Sequence, residues 1–224
     1  MKRLTLTFDN GPTPGITEPV LDALQDFAVP ATFFLVGTQL EKPGARAIAE
    51  RALRSGHRLG NHSYHHGDPL GLQTEPGAGS REILDMHRLM GDLTGPDPLY
   101  RPNGRGSIGP HLLSTEAVST LTEIGATVVL WTSVPRDRKA VVDRPDLWVA
   151  DAKRAVLECD WPLIVLHDRP SGFPAPGPMA FLPEFLRWAV DNVEFRQDFP
   201  PGCTPMVSGA PASNLGDIVT ANRA

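Results

Sequence analysis

Leu4-Thr5-Leu6-Thr7-Phe8-Asp9-Asn10-Gly11-Pro12, residues 4–12, reads as a short alternating strand that runs directly into a turn. Working outward, Ile16, Val20, Leu24 and Phe27 fall on one face of a helix over residues 16–27. Ala31 to Val36 is then a nearly continuous apolar run, the pattern of a strand buried on both faces of a parallel sheet. The same alternation predicts helices over 45–55, 80–93, 110–124, 147–158 and 180–192, and extended segments over 57–60, 99–100, 127–131 and 162–166. Strand and helix alternate from end to end, and the turn after the first strand carries no Gly-x-Gly-x-x-Gly mark of a nucleotide-binding half. The expectation is therefore an α/β fold with its parallel sheet rolled into a barrel.

The 224 residues suffice for one large domain, expected over 1–224 with a core over about 3–195 and an irregular tail over about 198–224. A formal net charge of −5 gives no basic field for nucleic acid or an anionic membrane surface. The 41% hydrophobic content excludes disorder for most of the chain, while Gly 21 and Pro 23 imply many turns and long loops. Cys159 and Cys203 are too few for a disulfide framework; one bridge between them stays open, and a reducing compartment is the simpler reading. Met1-Lys2-Arg3 is followed by no apolar signal region, and no apolar run approaches ~18 residues, so no membrane span is expected. With Met1 as the natural start, the cytoplasm is the expected location.

Residues that could carry chemistry gather after strand-like segments, where parallel α/β folds place their sites. Asp9 ends the first strand and suits a base or a ligand, although Asp-Asn-Gly also makes a plain turn. His62 and His66 stand four apart in Gly60-Asn61-His62-Ser63-Tyr64-His65-His66, a spacing that on a helical turn lets both imidazoles share a metal. A run of surface histidines would look the same. His167 closes Leu163-Ile164-Val165-Leu166-His167-Asp168, as a proton donor or a mere strand end. Arg101, in Tyr100-Arg101-Pro102-Asn103-Gly104, and Asp137, in the segment from Trp131, follow strands too; taken singly, each is more often a surface charge.

In order and spacing these segments, with Val29-Pro30-Ala31-Thr32-Phe33-Phe34-Leu35-Val36-Gly37, resemble the successive motifs of the polysaccharide deacetylase family, carbohydrate esterase family 4 or NodB-homology domain, over about residues 3–195. The resemblance implies a distorted (β/α) barrel whose mouth holds a divalent metal, usually zinc, and which hydrolyses the N-acetyl group of an amino sugar. It casts Asp9 as general base, His62 and His66 as metal histidines, His167 as general acid, Arg101 as the residue orienting the base and Asp137 as the carboxylate tuning the acid. Tyr100 and Asn103, with the Gly104 backbone, belong to the segment implied to meet the substrate.

Three departures bear on function. Asn10 stands where the family has the aspartate that is the third metal ligand, and offers only a neutral oxygen; Asp68 is a conceivable substitute. Arg138 replaces a frequent tryptophan and Val165 a leucine at the walls of the acyl pocket, which suggests a polar or acidic substrate group. The reading that leads is a C–N hydrolase acting on a carbohydrate or small N-acylated substrate. Beside it stand a metal-independent amide or imide hydrolase of the same fold and a non-catalytic carbohydrate-binding protein; nothing in the sequence sets the oligomeric state.

Overall fold

β1 (Lys2–Asp9) is the strand around which the molecule is built, because it pairs in parallel with three others. The computed structural model describes residues 1–137, 144–170 and 172–220; Arg138 lies outside them. Along β1 the side chains alternate: Leu4, Leu6 and Phe8 join the apolar layer beneath the helices, which leaves Thr5, Thr7 and Asp9 on the opposite, inner face. β6 (Leu163–His167) repeats the pattern, with Ile164 and Leu166 outward and Leu163 and Val165 in the inner cluster. Period-two alternation thus puts Asp9 and His167 on the inner face, and they are partners across the β1–β6 ladder.

β2 (Thr32–Leu35), β3 (Arg58–Asn61), β4 (Leu99–Tyr100) and β5 (Thr127–Val128) complete the parallel order β6-β1-β2-β3-β4-β5. β4 is held to two residues because Pro98 and Pro102 flank it and proline cannot donate to a ladder. The ring closes past β5, where Ser133 bridges Ile164 in parallel and the Val165 N–H donates to the Ser133 carbonyl at 3.0 Å. The result is the expected barrel, distorted where two of its strands are this short.

The outer layer consists of α1 (Thr17–Asp26), the single turn α2 (Gly37–Leu40), α3 (Ala45–Arg54), α4 (Ala78–Met90), α5 (Thr115–Glu123), α6 (Leu147–Glu158) and α7 (Leu182–Ala189). α5 starts five residues later than the pattern suggested because Ser114 caps it, its Oγ accepting the Ala117 N–H at 3.1 Å. The C-terminal stretch is more regular than its sequence indicated. β7 (Val193–Arg196) extends the sheet beside β1, and β8 (Met206–Val207) with β9 (Ala210–Pro211) forms a hairpin that pairs antiparallel with β5. Among the described residues no helix is long and apolar enough to cross a membrane.

Candidate active site

Asp9, His62, Arg101 and His167 each sit at or just beyond the C-terminal end of a parallel strand, so the barrel gathers them at one mouth. A cleft with about 360 Å³ of empty volume is lined there by Asp9, Asn10, His62, His66 and His167, with Asn103, Trp131, Val134 and Val165 among its walls.

Arg101 organises the floor. Its guanidinium is wholly buried, and it donates to Asp9 Oδ1 at 2.8 Å, to Thr7 Oγ1 at 2.7 Å and to the Val129 and Leu130 carbonyls at 3.1 and 3.3 Å. It also lies 4.0 Å from the Phe34 ring centre. Burial alone would raise the Asp9 carboxyl, but Arg101, with His62 and His167, outweighs burial and holds it below the ordinary carboxylate value. Asp9 is therefore an ionised carboxylate with one oxygen bound and Oδ2 left toward His62.

His62 Nδ1 lies 2.7 Å from the Arg101 carbonyl, which can only accept, so Nδ1 carries the hydrogen. Burial depresses its pKa, the ring is neutral, and Nε2 presents a lone pair 3.6 Å from Asp9 Oδ2. His66 packs beside it with ring centres 4.7 Å apart, its pKa pushed down to about 3 by burial and by His62. The two rings meet in a loop rather than on a helical turn, because the chain doubles back through left-handed Ser63 (φ 70) and His66 (φ 55). On the facing strand, His167 Nδ1 lies 2.9 Å from Asp137 Oδ1, and its backbone N–H donates to Asp137 Oδ2 at 2.6 Å. The carboxylate thus fixes the tautomer and the ring plane of His167.

The groups at the mouth do not fit a divalent ion. Two neutral imidazoles are suitable donors, but Asn10 Oδ1 accepts from the Arg169 guanidinium at 3.1 Å, so the third oxygen is neutral and already faces a cation. Asp168 is turned away, its Oδ2 accepting from Thr17 Oγ1 at 2.6 Å, and Asp68 pairs with Arg105 at the surface. No cluster of three His, Cys, Asp or Glu suited to a metal occurs among the described residues.

Val165 lines the cleft as a wall, and Asn103 lies at its rim with Nδ2 donating to the Gly67 carbonyl at 2.6 Å. Tyr100 is a correction. Its ring is buried in the inner core and its hydroxyl pairs with Ser63 Oγ at 3.0 Å, so it supports the His62 loop from behind and does not line the cleft. Arg138, expected at the acyl pocket, falls outside the described residues. Sequence reasoning missed Arg169, which is 159 residues from Asn10 and carries no local signal, and Thr7, whose inner-face position in β1 was readable from the alternation.

A buried carboxylate–arginine pair and a carboxylate-anchored histidine stand together at the mouth of a parallel barrel, where one group can take up a proton and another can give one. The model of the polysaccharide deacetylase family matches residues 1–128, and the chain belongs to that family. A chitooligosaccharide deacetylase of Bradyrhizobium sp. (strain ANU 289) is 33% identical over 170 residues, 75% of this chain and 70% of the relative. A peptidoglycan-N-acetylglucosamine deacetylase of Listeria monocytogenes is 31% identical over 62% of this chain, which spans only 27% of that protein. Among solved structures, peptidoglycan deacetylase PdaC from Bacillus subtilis is 26% identical with a TM-score of 0.68, covering 87% of this chain and 86% of its own. A family 4 acetyl xylan esterase from Clostridium thermocellum, in complex with a cobalt ion, is 26% identical with a TM-score of 0.69 and 87% coverage of each chain.

Proposed function

We propose that the chain hydrolyses the N-acyl amide of an amino sugar, with Asp9 as base and His167 as acid. The observation that carries this reading is the pair of anchored side chains on adjacent inner-face positions, Asp9 bound to Arg101 and His167 bound to Asp137. Asp9 Oδ2 and His62 Nε2 are both acceptors and stand 3.6 Å apart, so a water between them has a partner for each hydrogen and its oxygen lone pair turned to the cleft. As that oxygen bonds to the acyl carbon, Asp9 takes a proton; as the C–N bond breaks, the nitrogen takes one from His167. A carboxylic acid and a free amine leave. Each proton transfer is worth a factor of ~10² to 10⁴. Trp131, Val134 and Val165 supply an apolar wall for a short acyl chain.

The relatives that act on peptidoglycan and chitooligosaccharide support an amino-sugar substrate. For zinc, the ion the resemblance implies, the set His62, His66 and Asn10 offers no anionic oxygen, and the Asn10 oxygen already faces Arg169. The test is amine release from N-acetylglucosamine oligomers and N-acyl glucosamines by the purified chain. Turnover that falls at least ~10²-fold in Asp9→Asn and in His167→Ala, both still folded, agrees with these roles. No amine from any of them, or full turnover in both variants, overturns the reading.

A further inference from the structure

Arg169 stands two residues beyond the acid histidine, is exposed, and donates a guanidinium hydrogen bond at 3.1 Å to Oδ1 of Asn10, which lines the cleft. No carboxylate pairs with it among the described residues, although many arginines of this chain have such partners, among them Arg46, Arg105 and Arg136. Of the described acidic groups around the mouth, Asp9 pairs with Arg101, Asp137 with His167 and Asp168 with Thr17. Asn10 itself is nearly buried, at 6% exposed, and its Nδ2 has no acceptor. An amide oxygen aims a guanidinium without neutralising it, whereas an aspartate at the same place would close the pair into a salt bridge. Among the described residues the mouth therefore holds a positioned positive charge with no anionic partner.

We propose that Arg169, aimed by Asn10, is a carboxylate-binding subsite that makes the cleft prefer an N-acyl amino sugar carrying a carboxylate near the reacting amide. The inference rests on the reading of the chain as an amino-sugar N-acyl hydrolase for the substrate's scaffold, but the subsite is a property of binding and is measured without turnover. The carboxylate has two sources: the far end of the acyl group, as in an N-succinyl amide, or the sugar ring, as in a uronate. A guanidinium offers two parallel N–H groups to either.

Calorimetric binding of N-succinylglucosamine, the uronate of N-acetylglucosamine and neutral N-acetylglucosamine to the catalytically silenced Asp9→Asn chain tests it. At least one acidic probe is expected to bind roughly tenfold or more tightly than the neutral one, the scale of a charge-assisted hydrogen bond. Which of them does so identifies the source. In Arg169→Met on the same background the ratio falls to about one, in Arg169→Lys part of it survives, and in Asn10→Asp it shrinks because the charge is consumed. Equal or undetectable binding of acidic and neutral probes, or a ratio untouched by Arg169→Met, overturns the subsite. Preference without amine release by the Asp9-containing chain overturns the hydrolase reading and leaves the subsite standing. Amine release at equal KM from acidic and neutral probes, unmoved by Arg169→Met, does the reverse.

Discussion

Arg101 carries a full charge at 0% exposure, which is tolerable because Asp9, Thr7 and two backbone carbonyls take its N–H groups. Arg101→Met removes all of these and strands a buried carboxylate, so a loss of about 3–5 kcal/mol is expected in denaturant unfolding. Adding Asp9→Asn removes the stranded charge, and the double variant should be more stable than Arg101→Met alone. If the two losses simply add, the pair is not coupled. Asn10→Asp supplies the missing anionic oxygen beside His62 and His66, but Arg169 competes for it. Zinc titration should therefore show a small gain in Asn10→Asp and a further gain of at least about tenfold when Arg169→Met is added. Equal affinity in the single and double variants would show that Arg169 does not hold this oxygen.

Among the elements, the loop leaving β1 is clamped between the ends of β2 and β6. The Gly11 carbonyl accepts from the Val36 N–H at 2.9 Å, and a Cβ at Gly11 would stand 2.1 Å from Asp168 Oδ2. Gly11→Ala must push the β1 loop and the end of β6 apart, with an expected cost of about 1–3 kcal/mol and a loss of activity from the displaced Asp9 and His167. Asp168→Ala on the same chain removes the obstructing carboxyl, so the double variant should recover part of the loss in thermal unfolding. No recovery would place the strain elsewhere. These elements differ in how much their sequence disclosed. α6 spans Leu147–Glu158 as its pattern indicated, and the alternation of β1 and β6 fixes which residues face inward. A two-residue strand has no alternation to read, so no local pattern shows that Tyr100 stands behind the His62 loop, where the resemblance implies a place at the substrate. The β8–β9 hairpin and the Asn10–Arg169 contact depend on partners distant in sequence, so no local pattern reports them.

For the whole molecule, the buried titratable groups set how stability follows pH. Burial, with Arg51 adding to it, pushes His57 down to about 4, and burial likewise keeps His62 and His66 neutral in the fold. Below the unfolded histidine value of about 6.5 the unfolded chain takes up protons that the folded chain refuses, so stability falls with acid. Asp168 acts in the opposite sense. Burial raises its carboxyl to about 7, so as pH rises from about 4 to 7 the unfolded chain gives up a proton that the folded chain keeps, and stability declines. Three histidines against one aspartate predict a net loss of Tm below about pH 6.5. The opposing contribution is isolated by Asp168→Asn, a neutral side chain of the same shape that retains an oxygen for Thr17. Its Tm should exceed that of the wild type at pH 8, by the equivalent of a few kcal/mol at most, and the gain should shrink to about half a kcal/mol by about pH 4, where the folded aspartate is protonated and the unfolded one about half so. His57→Asn, remote from the cleft and still able to accept the Ala31 N–H, should flatten the acid limb instead. An Asp168→Asn gain that is the same at pH 4 and pH 8 would mean that packing, not ionisation, sets the effect, and that the buried carboxyl is not held neutral by the fold.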